Sequence, residues 1–170
     1  MRQAEGEDRG AADLDSNEKQ QVELANQIFL RLRKQLHDRD EQLTERDLRD
    51  AAQGSRWLRE IVEERRPDDL RQAYEDALAG SDLPEEDEAD LRRGIERAEG
   101  FSSFVQRNLR RLEEAAPAEE ETGNPAASIP HRDLMCGVVA GLVAGGVMMG
   151  NLFYFGFAVG MSRKAGCWQD

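Results

Sequence analysis

The chain has 170 residues and a formal net charge of −12. Phosphate groups repel an acidic surface of this strength, which argues against a nucleic-acid-binding protein and against a helix lying flat on anionic lipid. Its two cysteines, Cys136 and Cys167, are too few for a disulfide-rich fold. They flank one predicted straight helix, so we predict that they do not pair.

Four amphipathic helices are predicted within residues 15–115, after a polar N-terminus, residues 1–14, that we expect to be disordered. The first begins at Asp15, with Glu18 completing a capping box, and its apolar residues follow a heptad-like spacing. This stripe can pack within the same chain or form an intermolecular coiled coil. It comprises Val22, Ala25, Phe29, Leu32, Leu36 and Leu43.

The second helix begins after Thr44, and the third opens at Pro67, which suits a first helical position. A fourth is predicted from about Glu85 to Ala115, bent at Gly100. One face of this fourth helix is a candidate protein-binding surface. The face comprises Leu91, Ile95, Ala98, Val105 and Leu109.

The segment 89–104, ADLRRGIERAEGFSSF, resembles the BH3 segments of cell-death regulators. Those segments present Leu-Arg followed by an apolar residue, a small residue and an acid. Here Leu91 and Arg92 are followed by Gly94, Ile95 and Glu96, so the apolar and small residues are exchanged.

A linker at 116–132 leads to 28 residues without a charged side chain, from Leu134 to Met161. A bilayer core needs about 20 apolar residues, so we predict one transmembrane helix over 133–162, followed by a short polar tail, 163–170. The alternative is a hydrophobic hairpin that breaks at Gly150–Asn151. The expected fold is all-α: a small acidic helical bundle or antiparallel array, with one C-terminal transmembrane helix.

Glycines recur at four-residue spacing along this segment, which lets helices approach closely in lipid. We therefore predict a helix–helix interface, and self-association, through a glycine face. The face comprises Gly137, Gly141, Gly145, Gly146, Gly150, Gly156 and Gly160.

Catalytic, metal and cofactor motifs are missing from the sequence, and the two histidines, His37 and His131, have no partner at ligand spacing. We therefore expect no enzyme and no cofactor. The sequence favours a C-terminally anchored interaction or scaffold protein, with its N-terminal domain in the cytoplasm. Its expected partners are the lipid bilayer, a second copy and a protein bound by the helical domain. The alternative is a pore-forming or membrane-perturbing effector, of the cell-death or toxin type, whose glycine-rich segment oligomerises.

Overall fold

The computed structural model describes residues 14–37, 43–115, 131–150, 162 and 165–168. Helices account for nearly all of these residues, and no strand occurs among them, as the all-α prediction requires. The predicted disorder of residues 1–13 and the predicted linker up to residue 130 lie outside the described residues. The helices are α1 (Ser16–His37), α2 (Glu45–Glu64), α3 (Pro67–Ala79), α4 (Glu85–Arg97), α5 (Phe101–Glu114) and α6 (His131–Met149).

The capping box predicted at Asp15 is confirmed, and a second one occurs at Thr44. The backbone N–H of Glu18 donates to Oδ1 of Asp15 at 2.8 Å, and the N–H of Asp15 donates to Oε2 of Glu18 at 3.0 Å. Thr44 and Asp47 make the same exchange at the start of α2, at 2.9 and 3.2 Å. These bonds satisfy amides that have no partner inside the helix. Leu43 belongs to no helix, because α1 ends at His37, so the predicted stripe is shorter than expected.

The predicted fourth helix is two helices, α4 and α5, which corrects the expectation of one bent helix from Glu85 to Ala115. Glu99 and Gly100 have φ angles of 60° and 99°, in the left-handed region that favours glycine. The N–H of Gly100 donates to the carbonyl of Ile95 at 3.2 Å and closes the end of α4. The break allows α5 to change direction and pack against α2 and α6.

The most apolar helix, α6, lies inside the bundle. It packs mainly against α1 and α5, with smaller contacts to α2 and α3. A helix that is apolar all round has no face suited to water, so a bundle can cover it on several sides at once. Five of its aliphatic side chains have no solvent exposure: Val138, Val139, Leu142, Val143 and Val147.

Ion pairs at the surface connect the helices that cover α6. Glu113 on α5 accepts from the guanidinium groups of Arg59 and Arg56 on α2, at 3.0 and 3.2 Å. Arg31 on α1 lies 3.4 Å from Asp47 on α2. Surface pairs of this kind contribute little each to stability, typically about 0–1 kcal/mol.

The ion pair of Glu113 predicts a loss of stability in acid. Burial alone would raise the pKa of Glu113, but the hydrogen bonds and charges of Arg59 and Arg56 outweigh it and hold the pKa below its ordinary value of 4.5. A carboxyl group with a lowered pKa in the folded state stabilises the fold above its unfolded pKa, and that stability is lost as the pH falls through the folded value.

We therefore expect the free energy of unfolding to fall below about pH 4.5, with Glu113 contributing a few tenths to about 1 kcal/mol. Urea titrations at several pH values in this range should show that the free energy of unfolding falls less with decreasing pH for Glu113→Gln than for the wild type. The same fall in both proteins would show that the ion pair of Glu113 adds nothing to stability.

Candidate functional site

One helix among the described residues, α6, contains a stretch, Arg132–Met149, that is long and apolar enough to cross a membrane. Its 19 residues from His131 to Met149 reach about 28 Å, close to the roughly 30 Å thickness of a bilayer core. In the structure, 78% of the apolar window of α6 is buried inside the protein. The core helix of a soluble protein has the same composition, so the functional question concerns what covers α6.

The glycine face of α6 is occupied by side chains of the same chain. A Cβ atom built on Gly137 would lie 2.9 Å from Cβ of Leu112, and one built on Gly141 would lie 2.5 Å from the ring of Phe29. At Gly145 the nearest atom, Oδ1 of Asn26, would lie only 1.7 Å away. The three glycines therefore allow α1 and α5 to approach the backbone of α6 closely.

The other predicted interface glycines are placed differently. Gly146 is buried within α6, whereas Gly150 is exposed immediately after the helix, with a φ angle of 62°. Gly156 and Gly160 lie outside the described residues. The helix end at Met149 is also where the hairpin alternative places its break.

Asn26 is the unusual residue in this contact. Its side chain has no solvent exposure, and neither its amide nitrogen nor its amide oxygen has a hydrogen-bond partner among the described residues. A buried, unsatisfied polar group costs about 1–3 kcal/mol. The contact between α1 and α6 is thus closely packed but weakened by one polar side chain.

The predicted protein-binding face of the fourth helix lies in the core, shared between α4, the turn and α5. All of its residues are at most 7% exposed, so they support the bundle and present no free surface here. The face comprises Leu91, Ile95, Ala98, Val105 and Leu109.

The segment that resembles BH3 is broken at Glu99 and Gly100, and its two main apolar residues, Leu91 and Ile95, are buried.

The prediction that the cysteines do not pair is wrong. Cys136 and Cys167 form a disulfide with their Cα atoms 5.3 Å apart. The prediction assumed a straight helix as far as Met161, which would hold the two residues far apart. In the structure α6 ends at Met149, Gly150 has a left-handed φ angle, and Cys167 lies beside the first turns of α6.

The residues around Cys167 form a C-terminal turn, residues 165–168, that is packed on the bundle. The ring of Trp168 stacks on Phe104 with centroids 4.0 Å apart, and a Cβ atom on Gly94 would lie 2.4 Å from Cβ of Trp168. Arg132 donates to the carbonyl of Gly166 at 3.1 Å. The sequence patterns did not predict this turn, although the tryptophan in the short polar tail, 163–170, was a signal that could have indicated it.

The described residues contain no group of His, Cys, Asp and Glu side chains that could hold a metal ion. No protein-family model matches the sequence, and the comparisons found no matching curated protein or solved structure. The packing of α6 against the helices around it is therefore the basis for the functional inference.

Proposed function

We propose that the chain is a membrane-inserting helical protein that stores α6 inside its own amphipathic bundle and transfers it to a bilayer when the bundle opens. The observation that supports this proposal is the 78% burial of a helix that is apolar on every side. Transfer exchanges one apolar environment for another, so it needs only the contacts of α6 with its covering helices to be replaced by lipid.

The covering helices suit such a transfer. Each of α1, α2 and α5 has one apolar face towards the core and a charged face towards water, the pattern of helices that can lie at a membrane surface. The unsatisfied amide of Asn26 lowers the stability of the closed form at the contact that has to open. Once in lipid, the face of Gly137, Gly141 and Gly145 would be free to pack against a second copy, as a pore or other oligomer requires.

The second candidate is a permanently anchored interaction protein. Its support is the length and composition of α6, which match one membrane crossing. In that case α6 would remain in the bilayer, the glycine face would join two copies, and the remaining helices would form a cytoplasmic domain. The wild-type protein would then be found only in the membrane fraction.

Asn26→Leu tests the first candidate. Leucine has a similar branched shape without the unsatisfied amide, so we expect the free energy of unfolding to rise by about 1–2 kcal/mol. The fraction of protein that floats with phosphatidylcholine vesicles should fall accordingly. Urea titration and vesicle flotation measure the two quantities.

Asn108→Leu is the matched control. Asn108 is equally buried, but its amide donates to the carbonyl of Phe104 at 2.9 Å, so its replacement should not stabilise the fold. If Asn26→Leu is more stable than the wild type and still floats equally well, opening of the bundle does not limit insertion. That outcome would favour the anchored protein.

A further inference from the structure

We propose that the Cys136–Cys167 disulfide sets the membrane topology of the C-terminal segment. While the bond is intact, the segment can enter a bilayer only as a hairpin with both ends on one side. Reduction by a dithiol permits a straight span that carries the C-terminal tail across. This inference rests on the proposed membrane insertion of α6.

The geometric argument concerns the distance between the two cysteines. They are 31 residues apart in sequence, so a continuous helix at 1.5 Å per residue would separate them by about 46 Å. A disulfide requires Cα atoms within about 7 Å, and here they lie 5.3 Å apart. The disulfide and the 28-residue straight span from Leu134 to Met161 therefore exclude each other.

The disulfide joins the C-terminal turn to α6 covalently, in addition to the non-covalent contacts that hold the turn on the bundle. The described contacts are the stacking of Trp168 on Phe104, the packing of Trp168 over Gly94 and the hydrogen bond from Arg132 to Gly166. None of these closes a loop covalently. The disulfide encloses residues 137–166 and thus includes most of α6.

The redox step is ordinary thiol–disulfide exchange. One thiolate of the dithiol attacks a sulfur of the pair, forms a mixed disulfide and releases the other cysteine as a thiolate. The second thiol of the reagent then displaces the remaining cysteine. The dithiol is oxidised to its own disulfide, while Cys136 and Cys167 gain two electrons and two protons. Both cysteines are at most 5% exposed, so the turn has to open locally before attack.

The test uses the full chain with an epitope tag, preceded by a protease site, added after Asp170. The oxidised protein and protein treated with dithiothreitol are each bound to phosphatidylcholine vesicles, and protease is added outside. We expect the tag of the oxidised protein to be cleaved. After reduction, we expect the protected fraction to rise on the order of tenfold or more, because the bond that excludes the straight span is gone. Detergent should abolish the protection.

Two variants separate the covalent bond from the contacts around it. Cys167→Ser should show protection without reductant, because it cannot form the bond. Trp168→Ala keeps the disulfide and loses the stacking on Phe104, so its tag should remain cleavable until it is reduced. The wild-type comparison needs no substitution, so it stands even where a variant folds poorly.

Three outcomes would overturn the inference, and they are distinguishable. Equal protection of the tag in oxidised and reduced protein that both bind vesicles would overturn it while leaving the proposed insertion intact. Protection in oxidised Trp168→Ala would assign the topology to the stacking of the turn. Absence of vesicle binding in both redox states would overturn the proposed function itself, and the inference with it.

Discussion

Removal of residues 133–170 is expected to abolish the cooperative unfolding transition of the remaining chain. The deletion takes away five fully buried aliphatic side chains of α6, each of which contributes about 1.5–3 kcal/mol by burial. Their sum is comparable with the whole stability of a domain, about 5–15 kcal/mol. Facing side chains on the covering helices, such as Phe29 and Leu112, would become exposed as well.

The measurement is thermal and urea unfolding of the truncated protein, followed by far-ultraviolet circular dichroism and by the fluorescence of Trp57. A deletion of residues 1–13 is the control, because it keeps Leu14 and all six helices. The sequence patterns predict that residues 15–115 form a domain of their own. A truncated chain with a sharp transition and near-native helicity would support that domain and contradict a core built around α6.

Gly141→Ala is expected to destabilise the closed bundle by about 1–3 kcal/mol, which is the usual cost of overpacking a core. The new Cβ would lie 2.5 Å from two carbons of the Phe29 ring, which has no exposed surface, so the ring or the helix would have to shift. We also expect the variant to bind phosphatidylcholine vesicles more readily than the wild type, because the closed form is weakened while α6 itself becomes more apolar.

Gly54→Ala is the matched control for this substitution. Gly54 is a helical glycine on α2 that faces α1, and its new Cβ would lie 3.4 Å from Ala25, an ordinary contact. Alanine is favoured over glycine in a helix by about 1 kcal/mol, so Gly54→Ala should be neutral or stabilising. If both substitutions have the same effect on unfolding, Gly141 does not face α1 in the closed protein.

The helices and their caps could be predicted from the sequence because they depend on local patterns. Capping boxes form at Asp15 and Thr44, and α3 begins at Pro67, as the residue types at these positions indicate. The apolar faces were also identified, since each amphipathic helix has one side that avoids water. Such patterns establish which residues are buried but leave open what covers them.

The partner of each face depends on tertiary packing, which local patterns do not determine. A small-residue row such as Gly137, Gly141 and Gly145 allows close approach of any helix, whether from a second copy in lipid or from α1 and α5 of the same chain. The disulfide was missed for a related reason. A run of 28 uncharged residues indicates length and hydrophobicity, but it does not indicate that α6 ends at Met149, before a glycine with a left-handed φ angle.

Disulfide trapping between α1 and α6 tests most directly whether α6 lies in the bundle and has to leave it to reach the membrane. A Cβ on Gly145 would lie 2.5 Å from Cγ of Asn26, which places the two Cβ atoms within about 4 Å of each other, as a disulfide requires. The trap is Asn26→Cys with Gly145→Cys, made in a Cys136→Ser, Cys167→Ser background. Its control is Ala25→Cys with Gly54→Cys in the same background, which links α1 to α2 across a Cβ–Cβ distance of 3.4 Å and leaves α6 untied.

After mild oxidation in buffer, we expect the α1–α6 pair to form an intramolecular crosslink in the monomer and to lose flotation with phosphatidylcholine vesicles until a reductant is added. The α1–α2 pair should crosslink equally well and float whether oxidised or reduced. A crosslink of the α1–α6 pair that forms only between two chains, or a crosslinked monomer that floats as well as its reduced form, would contradict storage of α6 within the bundle.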